Sequence, residues 1–335
     1  MHVRNNLTKF EPNIMIVITG SAGFIGSCLV SKFNSNGVED IILVDDFSVA
    51  AKEHNYSNKK FSKIIDREVF VEWFKNNCRD VKYVIHIGAR TDTTEFNKAI
   101  FAKLNVNYTK DLWKICSQNS IPFIYASSAA TYGLGENGYD DDETKINLLK
   151  PLNPYGESKN DFDKWAIQQP QSPPQWQGLK FFNVYGPNEY HKARMASVIF
   201  HSFNQIKNTG KVKLFKSHNP KYQDGGQLRD FVYVKDVVEV IWFLYANKVK
   251  SGIYNLGSGK ARTFYDLVKA TFAALKQPIN VEFIDTPIDI RDKYQYFTEA
   301  NMSKLISAGY SKKFTSLEDG VLDYVTNYLN SNKYF

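Results

Sequence analysis

The run Thr19-Gly20-Ser21-Ala22-Gly23-Phe24-Ile25-Gly26 decides the fold. It sets glycines at 20, 23 and 26 between a short β-branched run, 14–19, and a helix-period stretch, 24–34. A strand turning this sharply into a helix exposes bare backbone at the helix N-terminus. Free N–H groups and the helix dipole there favour an anion, and a pyrophosphate fits the geometry. A second apolar run, 41–44, ends in Asp45-Asp46, and Asp45 lies 19 residues after Gly26. An acid at that place usually accepts hydrogen bonds from an adenosine ribose. Lys52 and Arg67 follow at a distance where they could instead hold a 2′-phosphate. The stretch therefore predicts a dinucleotide site. Gly20, Gly23, Phe24, Ile25 and Gly26 would lie at the pyrophosphate, and Asp45, Asp46, Lys52 and Arg67 at the adenosine end.

Working outward, further apolar runs at 83–87, 123–126 and 180–182 alternate with helix-period stretches such as 106–118. This alternation predicts an α/β fold, a doubly wound parallel sheet covered on both faces, with a smaller α/β substrate-binding unit. Later strands are expected at 231–234, 253–256 and 281–284, and helices at 237–247 and 264–276. The expected division is 14–182 plus about 231–257 for the dinucleotide unit, then about 183–230 and 258–330 for the substrate unit. Residues 1–13 read as a loose extension. Ile87, Gly88, Ala89, Arg90, Thr91 and Asn105 follow the strand at 83–87, where they would line the cofactor. Residues 133–150, with the acidic run 140–143, read as a loop beside the site. Residues 170–177 read as a surface connection, and Gly225-Gly226 as a turn.

Composition narrows the class. No apolar run approaches the roughly eighteen residues of a membrane span. Cys28, Cys78 and Cys116 are scattered, with no Cys-x-x-Cys pair or histidine cluster, which argues against a disulfide framework or a metal and for a reducing cytoplasm. The net charge is +7, and an excess of six positive charges falls between His191 and Asp230. So local a patch suits a small anionic ligand such as a diphosphate, and no nucleic-acid motif accompanies it.

The chemistry is read from Tyr155-Gly156-Glu157-Ser158-Lys159, a phenol and an ammonium four residues apart and so on one helix face. To act as a base near neutrality the phenol must fall from about 10 to about 7, roughly 4 kcal/mol of differential stabilisation. Lys159 and a positive nicotinamide both favour the phenolate, and Lys159 would also hold the nicotinamide ribose. Ser127-Ser128 ends the strand at 123–126, at the sheet edge where ligands bind, and Ser128 would orient a substrate alcohol.

Six stretches carry a family resemblance: 125–133 (Tyr-Ala-Ser-Ser-Ala-Ala-Thr-Tyr-Gly), 151–156, 182–187 (Phe-Asn-Val-Tyr-Gly-Pro), 195–198, 229–234 and 254–257. With them the chain, over roughly 14–329, resembles the extended short-chain dehydrogenase/reductases. His191-Lys192 followed by Met195-Ala196-Ser197 resembles more narrowly their ADP-heptose 6-epimerases. The resemblance implies a Rossmann-type fold and a cytoplasmic homo-oligomer, with a pentamer among its forms. It implies interconversion of ADP-D-glycero- and ADP-L-glycero-β-D-manno-heptose for the lipopolysaccharide core, by oxidation at C6″ and re-reduction from the opposite face. Tyr155 and Lys192 would be the two acid/base groups. Asn183, Arg194, His201, Arg229 and Tyr294 would meet the substrate, with Arg229 the diphosphate clamp, and Phe215, Lys216, Ser217 and His218 would face the nucleotide. Val184 would touch the cofactor, and Lys52 and Arg67 tilt it to NADP, with NAD the other choice. Arg194, Asn188 and a long 219–227 segment depart from the family pattern.

Ala129-Ala130 stands where a dehydratase carries an Asp-Glu pair, which disfavours water elimination. A nucleotide-sugar 4-epimerase needs no second base such as Lys192. A non-catalytic NAD(P) sensor would not need both Tyr155 and Lys159.

Overall fold

The structure, a computed structural model, describes residues 15–291 and 294–335. The extension expected at 1–13 lies outside the described residues. The described strands are β1 Met15–Thr19, β2 Ile41–Asp45, β3 Lys63–Asp66, β4 Val81–His86, β5 Phe123–Ser128, β6 Trp176–Phe181, β7 Asn183–Tyr185, β8 Val212–Phe215, β9 Leu228–Tyr233, β10 Gly252–Leu256, β11 Ala261–Thr263 and β12 Val281–Ile284. Seven form one sheet in the order β10-β6-β5-β4-β1-β2-β3, every neighbouring pair parallel. The order reverses between β1 and β4, so right-handed crossovers put the helices on either side of the reversal on opposite faces of the sheet. Helices Phe24–Ser35 and Val234–Ala246 pack together in one layer, and Arg67–Asn77 packs on Tyr108–Gln118 in another.

Covering both faces explains the composition of the strands. Every residue of β2 and β5 is buried, and β1 contributes Ile16, Val17 and Ile18 without exposure. β9 pairs with β7 and β11 in a separate three-stranded sheet, and β8 pairs with β12 in a parallel ribbon. The strand expected at 180–182 begins earlier, at Trp176, inside the stretch read as a surface connection. Its polar residues are buried with partners. Gln177 donates to the Val249 carbonyl at 3.1 Å, and Lys180 pairs with Asp163 at 2.8 Å. No helix among the described residues is long and apolar enough to cross a membrane.

Candidate active site

The switch point between β1 and β4 forms a cradle that only glycine permits. Gly20 has φ +68°, and a Cβ on it would lie 2.6 Å from the Gly88 nitrogen. On Gly26 it would lie 2.0 Å from the Gly20 carbonyl oxygen. The helix begun by Phe24 has no side-chain cap and no acid in its first turn, so its N–H groups remain available for an anion. These are the features a dinucleotide pyrophosphate requires, and the residues fit one.

At the adenosine end Asp45 already serves the protein. One oxygen accepts the Ala22 N–H at 2.9 Å; the other takes the Lys52 ammonium at 2.8 Å and the Asp46 N–H at 2.7 Å. Asp46 accepts from Ser48 and from the Arg67 guanidinium at 3.1 Å, and Ser48 chiefly holds its carboxyl below the usual range. Both acids thus bring a cation to the place where an adenosine 2′ substituent would sit. Across the cradle, Ile87, Gly88 and Ala89 are partly buried, whereas Arg90 and Thr91 are exposed. Asn105 does not offer a free amide. It accepts the Arg90 N–H at 2.8 Å and donates to the Arg90 carbonyl and to Ser158, both at 3.0 Å, from a π-helical segment, Ala102–Asn107. It therefore fixes the loop with which it was expected to line the cofactor.

The helix Pro154–Ile167 starts at a defined register because Asn153 caps it, accepting the Gly156 N–H at 2.8 Å, with proline at its first position. Tyr155 and Lys159 then share one face at the end of β5. The Lys159 ammonium donates to the Ala126 carbonyl at 2.8 Å, and burial lowers its pKa to about 8 against the opposing pull of Asp163. The sequence argument required a depressed phenol. Here burial pushes Tyr155 up, Ser128 opposes that, and Asp163 adds to it. Of the two serines, Ser127 donates to Asp163 at 2.6 Å in the core, while Ser128 lies beside the phenol.

Lys192 lies on the irregular helical turn Tyr190–Met195, its ammonium 5.3 Å over the Phe24 ring of the glycine turn. Burial lowers its pKa, with Glu189 pulling upward. Arg194 instead turns outward, donating to Asp92 at 3.1 and 3.2 Å and to Thr94, which ties this segment to the loop after β4. Asn188 is fully buried. It donates to Ser27 at 2.9 Å and exchanges hydrogen bonds with the Phe335 backbone, a structural use for its departure from the family pattern.

In the substrate unit Arg229 is buried between the rings of Phe264 and Tyr294, 5.6 Å from each. It donates to the carbonyls of Leu228 and Gln295, and no carboxylate among the described residues pairs with it. Part of the basic stretch around it is neutralised: Lys211 and Lys213 meet Glu282 at 2.6 and 4.0 Å, and Lys216 meets Asp285 at 3.2 Å. Arg229 is the buried guanidinium of that stretch. Phe215 stacks edge-on with Tyr294; the Ser217 N–H donates to the Asp224 carboxylate at 2.7 Å; the Nε2 of His218 meets the Thr286 N–H at 3.3 Å. The long 219–227 segment folds back on these residues, with the Gly225 N–H on the Phe215 carbonyl. Asn183 is exposed and Val184 half-buried on β7, and the His201 Nε2 lies 3.4 Å from the Arg194 carbonyl.

Sequence reasoning passed over three buried residues. Asp163, one turn past Lys159, accepts from Tyr125, Ser127 and Lys180 behind the site. His86 joins Thr19 and Thr109 at 2.6 and 2.9 Å, and burial lowers its pKa to about 3, so it is neutral. Glu189 is the third. Asp163 had a signal in the sequence, a four-residue step along the Tyr155–Lys159 face. Among the described residues no three His, Cys, Asp or Glu side chains gather as a metal site would require.

A Rossmann-type sheet with a glycine cradle, a Tyr-x-x-x-Lys helix and a serine at its edge defines a nicotinamide-dependent enzyme. Residues 16–257 match the model of the NAD dependent epimerase/dehydratase family, and the chain belongs to that family. It is similar to an ADP-L-glycero-D-manno-heptose-6-epimerase of Fusobacterium nucleatum, at 51% identity over 94% of this chain and 98% of the relative. One from Nitratidesulfovibrio vulgaris is 47% identical, over 94% and 98%. The crystal structure of the Helicobacter pylori ADP-L-glycero-D-manno-heptose-6-epimerase superposes with a TM-score of 0.78 at 28% identity, over 94% of this chain and 96% of that one.

Proposed function

We propose that the chain is an isomerase, an ADP-glycero-manno-heptose 6-epimerase that interconverts ADP-D-glycero- and ADP-L-glycero-β-D-manno-heptose. The observation that carries this reading is a second, half-buried lysine beside the glycine turn: Lys192, over the Phe24 ring, in addition to the Tyr155–Lys159 pair. A 4-epimerase with a rotating sugar has no need of it. The relatives of this name, matched end to end, support the same reading.

When bound, the nicotinamide supplies reversible hydride exchange with C6″. Inversion requires a planar ketone at C6″ whose oxygen takes a different position after the faces exchange. A proton leaves the hydroxyl at one position and returns at another, so two groups share the work. Tyr155 serves one face, with Ser128 orienting the oxygen, and Lys192 serves the other. Burial brings the Lys192 amine closer to losing its proton near neutrality. Lys159 keeps a positive charge beneath the phenol and holds the cofactor ribose. Arg229 takes the diphosphate, because a buried guanidinium between two rings gains most from a dianion. Asn183, His201, Phe215–His218 and Tyr294 complete the sugar-nucleotide site. Lys52 and Arg67 favour NADP over NAD. We place the enzyme in the cytoplasm, consistent with three buried free cysteines, and as a homo-oligomer, with a pentamer the expected form.

The test is incubation with ADP-D-glycero-β-D-manno-heptose and NMR assignment of C6″. A mixture of both epimers is expected. Retained configuration with NAD and with NADP would remove the assignment.

A further inference from the structure

Among the buried ionisable groups that this chemistry leaves unused, Glu189 has the geometry of a clasp. It is fully buried and stands three residues before Lys192. Its two oxygens accept the Ser197 N–H and the Ser197 hydroxyl, each at 2.6 Å, with the Gly186 N–H at 3.5 Å. Ser197 in turn caps the helix Val198–Thr209, accepting the Phe200 N–H at 3.3 Å. The carboxylate therefore joins both ends of 189–197, the segment that carries Lys192. Inside this ring Ala193 holds φ +47° and ψ −126°. A non-glycine residue there costs of order 1–3 kcal/mol and persists only where the surroundings fix it.

The groups facing the pair come from several elements. Tyr324, from the C-terminal helical segment, faces the carboxylate outside hydrogen-bond geometry, and Tyr190 and Cys28 also feel its charge. Lys192 lies against the Phe24 ring and influences the neighbouring His191. Glu189 makes no ion pair among the described residues, so its charge is spent on Ser197 and on the field at Lys192.

We propose that Glu189 is the positioning residue for Lys192: by closing 189–197 onto Ser197 it fixes where the lysine amine meets the substrate. This rests on the reading of Lys192 as the second acid/base group. A purely structural role would make the same carboxylate a buried support for the Val198–Thr209 helix, with effects on stability alone.

The experiment measures epimerisation per cofactor-loaded site, with kcat, KM and pH profiles, for Glu189→Ala, Glu189→Gln and Lys192→Met. Glu189→Ala should lose about 100-fold in kcat with KM little changed, the scale of a misplaced catalytic group. Glu189→Gln keeps a carbonyl for the Ser197 N–H and should lose about tenfold or less in kcat. The kcat limb belonging to Lys192 should then move to lower pH by about one unit, because the lost negative charge had favoured the ammonium. If the alanine variant does not fold, the glutamine variant carries the test. Wild-type kcat and an unchanged pH profile in the folded variants would overturn the proposal, even with a lower melting temperature. Full activity of Lys192→Met would instead remove the function of Lys192 itself, whatever the Glu189 variants do.

Discussion

The helix Pro154–Ile167 and the segment 189–197 hold their lysines by opposite means. On the helix, regular geometry suffices: Asn153 sets the register, four residues separate Tyr155 from Lys159, and the ammonium lands on the Ala126 carbonyl. In the segment no periodicity places Lys192. A tertiary clasp from Glu189 to Ser197, a strained Ala193 and the Phe24 ring do so together. The first arrangement can be written in local sequence. The second exists only once distant residues have met.

The sharpest blow to the helix side is Tyr155→Phe. It should lower kcat by a factor of roughly 10²–10⁴, the range for a lost general acid/base, with cofactor still bound. Activity within threefold of wild type would move the chemistry away from this helix.

A smaller effect concerns Lys159 and pH. Burial lowers its pKa to about 8 in the cofactor-free protein, and under the proposed function a ribose hydroxyl accepting from the ammonium would raise it on binding. Cofactor affinity should be level below about pH 8 and fall by about tenfold per pH unit above it, until the bound-state pKa is reached. Fluorescence titration of the cofactor from pH 7 to about 9.5 reads this directly. Constant affinity across the range would mean that the ammonium makes no such contact.

The least effect is expected from Ala193→Gly on the segment side. Relief of the left-handed strain, less the entropy that glycine adds to the unfolded chain, should raise stability by about 1 kcal/mol in chemical denaturation. A loss of stability would show that the alanine methyl is held by packing and that the ring is not strained.

The same contrast explains what the sequence disclosed. The glycine turn, five of the seven parallel strands and the Tyr155–Lys159 face follow from local spacing and lie close to where that spacing puts them. β3 escaped notice because Lys63–Asp66 is an edge strand with one buried residue, so it carries no apolar run. β6 was truncated because Gln177 and Lys180 look like surface residues, and only Val249 and Asp163 make them core. The basic stretch of 191–230 suggested a local anion site, yet acids on β12 and just beyond it, distant in sequence, offset part of its charge. Glu189 has no local signature at all, since its meaning lies in an eight-residue return to Ser197 that the fold creates.

The most direct measurement is made on Lys192→Met, folded and loaded with cofactor, incubated with ADP-D-glycero-β-D-manno-heptose and followed at C6″ by NMR. The two-base account predicts that the L-glycero epimer forms at least about 100-fold more slowly than with the wild-type enzyme. Epimer appearing at the wild-type rate would contradict it.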